Sequence, residues 1–124
     1  MKMNPYFYRV TVDRVLDGDT LDAIFDLGFN ITNKVRVRLM GYDAPETWRP
    51  SSDAEMKAGL AVKAELGRLL ALHADHLYCE STNIDLYGRS SGIIYFKDDA
   101  AEMHSINSMV IEYMTINHFT KGAL

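Results

Sequence analysis

Hydrophobic and polar residues alternate along the first third of the chain in the pattern of short β-strands. Residues 6–16 are rich in β-branched and aromatic side chains, and Val10 and Val12 keep a period of two. A second strand is predicted from Thr20 to Leu27, and a third over residues 32–41, where charged and aliphatic residues alternate. Tight turns separate these segments, so we expect an antiparallel meander.

The first turn, Asp17-Gly18-Asp19, is an Asp-Gly hairpin signal. Because glycine has no Cβ, Gly18 is free to take a positive φ there. A hairpin alone accounts for this motif, so the two aspartates need other support before they are assigned chemistry.

A long helix is predicted after a loop with two prolines. The loop runs from Asp43 to Pro50, and Ser52 then stands three residues before Glu55, which is the form of a capping box. The helix is expected to reach about residue 74. One apolar stripe recurs along it at helical spacing: Val62, Leu66, Leu69, Leu70 and His73.

The remaining segments predict two more strands, at 76–81 and 92–96, and short helices at 102–113 and about 115–121. A turn is expected from Asn83 to Arg89. Five short strands with an inserted helix favour an α+β fold with a mostly β core, a five-stranded OB-type Greek-key barrel with about three helices. The length of 124 residues predicts that 1–124 form a single domain.

The charge balance argues mildly against an avid nucleic-acid binder. The net charge is −4, whereas most nucleic-acid-binding domains are basic. However, residues 1–50 carry seven basic and seven acidic side chains, against six and ten in residues 51–124. A local basic site is therefore compatible with the acidic remainder, because salt screens distant charges.

The single cysteine, Cys79, excludes an intrachain disulfide and is expected to be a small buried hydrophobe. Residues 1–7 lack the apolar run of a signal peptide, and no stretch approaches the roughly 20 apolar residues of a membrane span. We therefore predict a cytoplasmic protein with no membrane partner. A precursor trimmed to this form would have the same sequence, so secretion stays an alternative.

Two aspartates at strand ends are candidate metal ligands. Asp19 follows the first turn, and Asp43 follows the third strand. Carboxylates together with a backbone carbonyl and waters suit Ca²⁺, which accepts six to eight oxygen ligands at about 2.3–2.6 Å. Cysteine and histidine are absent near either aspartate in sequence, which disfavours zinc and softer metals.

A further carboxylate and two arginines would complete a phosphodiester site. Glu46 follows Pro45, whose fixed backbone would aim it as a general base, although a solvated loop carboxylate is the alternative. Arg38 and Arg89 are suited to gripping phosphate oxygens, although surface charge is the usual role of arginine. Tyr87 would lie against a sugar or base, or simply pack. Together these residues are typical of metal-assisted phosphodiester hydrolysis.

In their order and spacing, these motifs resemble those of the staphylococcal nuclease (thermonuclease) family. The motifs are Asp-Gly-Asp-Thr from Asp17, Arg38 followed by Asp43-Ala44-Pro45-Glu46, and Tyr87-Gly88-Arg89, and the similarity extends from about residue 8 to 114. The resemblance implies an OB-type barrel and a calcium-dependent nuclease.

By motif position, the resemblance implies site residues. Asp19 and Asp43 correspond to the calcium carboxylates, and Ala44 would contribute its backbone carbonyl. Arg38, Glu46 and Arg89 correspond to catalytic residues, and Tyr87 to a nucleotide-binding tyrosine. The best-studied member has lysine at the position of Leu86 and is strongly basic, whereas this chain is acidic, so this chain is expected to bind substrate more weakly or to prefer a different one. That member also has threonine at the position of Ala44, a change that keeps a carbonyl ligand and loses a hydroxyl contact.

Two functions follow from these residues. The first is a monomeric Ca²⁺-dependent phosphodiesterase of the endonuclease type, acting on single-stranded or locally open DNA, RNA or both. The second is a non-catalytic module that binds nucleic acid or protein on the same barrel. The complete set of carboxylates favours the enzyme, because carboxylates near a phosphate weaken its binding unless a metal offsets their charge.

Overall fold

The protein is described by a computed structural model that covers residues 6–84 and 90–120. In chain order the elements are β1 (Phe7–Asp17), β2 (Thr20–Asp26), β3 (Thr32–Leu39), α1 (Asp53–Leu72), a 3-10 turn (Ala74–His76), β4 (Leu77–Ile84), β5 (Ser90–Lys97), β6 (Met103–Ser105) and α2 (Ile106–Ile116). In these residues, neither α-helix combines the length and the apolar character that crossing a membrane requires.

Five strands close into a barrel. The antiparallel meander β1–β2–β3 is followed by α1, after which β4 pairs with β1 and β5 pairs with β4. A short parallel pairing of β3 with β5, from Val37 opposite Ser90 to Leu39 opposite Gly92, completes the circle. The short strand β6 extends the sheet beyond β5. The predicted OB-type α+β fold is confirmed.

The strand alternation has the predicted physical basis, since one face of each strand fills the barrel. Val37 and Leu39 of β3 are completely buried, and α1 covers the barrel with its apolar stripe. Cys79 is a buried core residue, as predicted, and burial raises the pKa of its thiol to about 12.

The helix α1 begins with the predicted cap, although its geometry differs by one residue. The Ser52 hydroxyl accepts a hydrogen bond from the Glu55 amide at 3.1 Å. The Glu55 carboxylate accepts one from Ser51, at 2.6 Å, rather than from Ser52 as a capping box requires.

The last third of the chain corrects two predictions. The helix expected at 102–113 begins only at Ile106, because Met103–Ser105 pairs with β5 as a strand. The helix continues to Ile116, so the separate helix predicted at about 115–121 is wrong within the described residues. The helix starts later than predicted because the backbone groups of Met103–Ser105 form hydrogen bonds with β5 instead of within a helix.

Candidate active site around Arg38

The hairpin between β1 and β2 holds Asp19 close to the loop that follows β3. A Cβ on Gly18 would lie 2.7 Å from the Ala44 Cβ and 2.8 Å from Val62 Cγ1, so this turn has room only for glycine. Gly18 does not take the positive φ that a glycine can adopt in such a turn, since positive φ among the described glycines is confined to Gly28 and Gly41. Glycine is needed for close approach, not for a left-handed backbone.

Asp19 ties the hairpin to that loop through both carboxylate oxygens. Oδ2 accepts a hydrogen bond from the Ala44 amide at 2.9 Å, and Oδ1 accepts one from the Thr20 hydroxyl at 3.0 Å. The two predicted metal-binding segments therefore meet, although 25 residues separate them.

Arg38 lies between the two predicted metal carboxylates. Its Nη1 is 3.3 Å from Asp19 Oδ2, and its Nη2 donates to Asp43 Oδ1. Nη1 also donates to the carbonyls of Leu39 and Tyr42, at 3.1 and 3.0 Å. The arginine side chain is only 23% exposed, whereas that of Asp43 is 62% exposed. Arg38 is fixed, and Asp43 is open to solvent.

Tyr42 connects the loop that follows β3 to the hairpin between β1 and β2. Its hydroxyl donates a hydrogen bond to the Gly18 carbonyl at 2.7 Å. Burial raises the pKa of Tyr42, and the charge of Asp19 acts in the same direction. The phenol therefore stays a neutral donor at any working pH. No pattern in the sequence indicated this role for Tyr42.

The helix α1 comes into direct contact with the loop that carries Glu46. A Cβ on Gly59 would lie 2.6 Å from both the Pro45 carbonyl oxygen and Thr47 Cγ2. Pro45 is fully buried, and Glu46 is half-buried beside it. Gly59 was missed at the sequence level, although a glycine inside a helix, which costs about 1 kcal/mol relative to alanine, is a usable signal.

Negative charge accumulates at this end of the barrel. Burial raises the pKa of Asp17, and the nearby charges of Asp19 and Glu46 raise it further, against hydrogen bonds from Gly18 and Thr47. The charges of Asp19 and Glu46 thus both act on Asp17, and Asp43 shares the Arg38 guanidinium with Asp19. Arg38 pairs with two of these four carboxylates, and the remaining negative charge favours a cation.

The donor set fits a hard cation. Asp19 and Asp43 approach the same guanidinium, through Nη1 and Nη2, and both offer carboxylate oxygens, the ligands that Ca²⁺ prefers. An open cavity of about 400 Å³ adjoins them and is lined by residues 38–43 and Ser91. In the described residues, however, the carboxylates here do not form a tight group of three ligand atoms.

Such a group of three lies elsewhere and was not predicted. Asp98, Glu102 and His104 place one ligand atom each within 4.8 Å of one another. They lie around the β5–β6 connection, at the opposite end of β5 from Ser91. His104 Nε2 is 2.6 Å from Asp98 Oδ2, and this contact lowers the pKa of Asp98.

Two predicted site residues, Tyr87 and Arg89, lie outside the described residues. The others are brought together at one end of the barrel, with Arg38, Asp19 and Asp43 in contact and Ala44 and Glu46 adjoining them. Trp48, in the same loop, is 82% exposed.

Comparison with known proteins found a similar nuclease. The chain is 26% identical over 111 residues to a micrococcal nuclease from Shigella flexneri, a match that covers 85% of this chain and 55% of the relative. The chain thus spans about half the length of the curated relative it matches. No family model matches the chain. The chain resembles the staphylococcal nuclease family in its motifs and in its closed five-stranded barrel. The similarity to this relative is consistent with that resemblance.

Proposed function

We propose that this protein is a nuclease that hydrolyses phosphodiester bonds of DNA, RNA or both with Ca²⁺ as its cofactor. The observation that carries the proposal is the convergence of Asp19 and Asp43 on Arg38 beside an open cavity. The similarity to micrococcal nuclease supports a nuclease-type function.

Asp19, Asp43 and the Ala44 carbonyl are the proposed calcium ligands. A bound calcium ion would neutralise phosphate charge and lower the pKa of a water molecule. Arg38 now neutralises part of the charge on the two aspartates. Because Asp43 is largely exposed, it is free to exchange this arginine for a cation and so release Nη2.

Arg38 and Arg89 are the proposed phosphate-binding residues. The fixed Arg38 guanidinium would present Nη2 to a phosphate oxygen and stabilise the charge that develops in the transition state. Arg89 would bind the same phosphate, and Tyr87 a neighbouring sugar or base.

Glu46 is the proposed general base. It stands beside a buried proline and a helix backbone, which restrict the loop that carries it. It would accept the proton of the attacking water as the water oxygen bonds to phosphorus. The bond from phosphorus to the ester oxygen on the opposite side would then break. Positioned bases of this kind contribute roughly 10²–10⁴-fold to rates.

Single-stranded or locally open nucleic acid is the proposed substrate, because a small barrel reaches an unstacked phosphate more easily than a paired one. A monomer is sufficient, since the proposed residues belong to one chain. Action in the cytoplasm is the corresponding proposal for location.

Cleavage assays with calcium and EGTA would test this function. We would incubate labelled single-stranded DNA, and separately RNA, with wild type, Glu46→Gln and Arg89→Ala. We expect calcium-dependent cleavage that falls by about 10²-fold or more in each variant. Glu112→Gln, an exposed carboxylate change on α2, is the matched control and should cleave like wild type.

Two results would contradict the proposal. Cleavage that persists in EGTA would remove calcium from the mechanism. Folded wild type that binds nucleic acid and calcium without cleaving would replace the nuclease with the non-catalytic binding module.

A further inference from the structure

The outer face of β3 carries a row of basic side chains that leads to the candidate active site. Lys34, Arg36 and Arg38 alternate with core residues, so all three lie on the same face of the strand. Their side chains are 59%, 46% and 23% exposed, so accessibility increases away from the site.

A buried carboxylate holds the middle of this row in place. Asp22, whose side chain is 10% exposed, accepts hydrogen bonds from Arg36 Nε at 3.0 Å and Nη2 at 3.4 Å. Arg14 Nε approaches the same carboxylate at 3.4 Å. The hydrogen bond from Arg36 lowers the pKa of Asp22, which therefore stays charged. This pairing uses one edge of the Arg36 guanidinium and leaves the Nη1 side for another acceptor.

The face has a positive surplus on an acidic protein. On the outward side of β1–β3, Arg9, Arg14, Lys34 and Arg36 stand against Asp13, Asp22 and Asp26, a surplus of one positive charge, and Lys34 Nζ lies 2.6 Å from Asp13 Oδ2. The chain as a whole has a net charge of −4, so this surplus is a local feature. A surplus of exposed cations beside a phosphate site favours an anionic polymer that passes through that site.

We propose that Lys34 and Arg36 form a track for the sugar-phosphate backbone of single-stranded nucleic acid, on one side of the scissile phosphate. Alternate residues of a strand are roughly 6.8 Å apart, so each basic residue would meet a successive phosphate of an extended strand. The proposal rests on the proposed nuclease function. It adds that the enzyme binds several nucleotides and that the strand beyond the scissile phosphate runs along β3. A flexible single strand can follow a twisted strand surface, whereas a stiff duplex cannot.

The length dependence of binding and cleavage would test the track. We would measure fluorescence anisotropy of a labelled 12-nucleotide DNA in EGTA over a salt series. KM would be measured in CaCl₂ for DNA of 2 and 12 nucleotides. Lys34→Gln and Arg36→Gln should each weaken 12-mer binding by about three- to tenfold and reduce the salt slope by about 0.7. The KM effect should grow with strand length.

The control variant is Arg68→Gln, which removes one paired, 60% exposed arginine from α1, away from this face. It should leave the salt slope and the length dependence as in wild type. Asp13→Asn has the opposite expected sign, since it frees Lys34 and should tighten 12-mer binding about two- to threefold. Loss of folding does not tighten binding, so this variant separates the track from a stability effect.

The outcomes separate the track from the nuclease. If wild type binds the 12-mer, and the β3 variants behave like Arg68→Gln, the track is wrong even where cleavage is seen. If the variants weaken binding as expected but wild type does not cleave, the track stands and the nuclease fails. If wild type binds no nucleic acid, the row serves another partner, such as an acidic protein surface, and the proposal is overturned.

Discussion

Two clusters of arginine and aspartate are centred on neighbouring strands, one on Arg38 of β3 and the other on Asp22 of β2, and they have opposite composition. At Arg38, one guanidinium contacts two carboxylates, Asp19 and Asp43. At Asp22, one carboxylate contacts two guanidiniums, those of Arg14 and Arg36. The same ion-pair chemistry therefore leaves surplus negative charge at one cluster and surplus positive charge at the other.

The burial of the central residue explains what each cluster can exchange. Asp22 is buried and its arginines are largely exposed, so an incoming anion can meet the arginines without disturbing the carboxylate. At Arg38 the arginine is held by carbonyls and the exposed partner is Asp43, so an incoming cation can recruit that carboxylate. The central residue positions its neighbours, and the exposed neighbours are available to a ligand.

Among the changes that compare the two clusters, the largest expected effect comes from Asp43→Asn. Removing a carboxylate from the negative cluster should raise the calcium concentration needed for half-maximal cleavage by roughly tenfold or more, because ligand charge sets calcium affinity. A calcium titration of the cleavage rate measures it. Asp75→Asn, an exposed carboxylate outside both clusters, should follow wild type. An unchanged calcium requirement in Asp43→Asn would remove this residue from the metal site.

The packing that brings the Arg38 cluster together can be broken at Gly18. Gly18→Ala should lower the free energy of unfolding by about 1–3 kcal/mol, because its Cβ would overlap Ala44 and Val62. Urea denaturation measures it. Gly67→Ala in α1 is the matched control, since a Cβ there meets nothing within 4 Å. It should stabilise by up to about 1 kcal/mol. Equal effects of both variants would contradict the close approach at Gly18.

The free energy of unfolding should depend more on Asp22 than on Asp43, whereas the calcium requirement should depend on Asp43. Asp22→Asn should cost about 1–2 kcal/mol of unfolding free energy, since it weakens buried charge-assisted hydrogen bonds. Asp43→Asn should cost less than about 1 kcal/mol, because its ion pair is exposed. Urea unfolding of both variants at pH 7 measures the difference. A larger loss for Asp43→Asn would reverse our assignment of which carboxylate is structural.

The smallest expected effect is on acid stability. The folded-state pKa of Asp22 is lowered, so its contribution is present above the unfolded value of about 3.9 and is lost as pH falls below it. Between pH 5 and pH 3, Asp22→Asn should therefore lose less stability than wild type. Parallel pH dependence in the two proteins would show that Asp22 does not contribute to acid unfolding.

Much of the fold could be predicted from local pattern. The alternation of β3 placed Val37 and Leu39 in the core, and the Ser52 cap and the apolar stripe located α1. The candidate site could be predicted only as separate motifs. The failures lie where distant residues compete, as at Met103–Ser105, where pairing with β5 replaced a predicted helix.

Buried polar contacts also lay beyond sequence pattern. Asn107 on α2 is 3% exposed, accepts a hydrogen bond from the Ile94 amide, and donates to the carbonyls of Met40 and Gly92. It thereby joins α2 to both strands of the parallel pairing that closes the barrel. Nothing near Asn107 in the chain distinguishes it from an ordinary surface asparagine.

The sequence by itself determined which residues are the candidates for the chemistry, since the types and order of Asp19, Arg38, Asp43 and Glu46 are read directly from the chain. Periodicity also determined which strand faces are buried, because alternation is a local property. Only the tertiary structure decided that Asp19 bonds the Ala44 amide, that Asp22 is buried beneath Arg36, and that Gly18 and Gly59 admit close contact. These contacts join residues 12 to 44 positions apart, and only packing brings such pairs together.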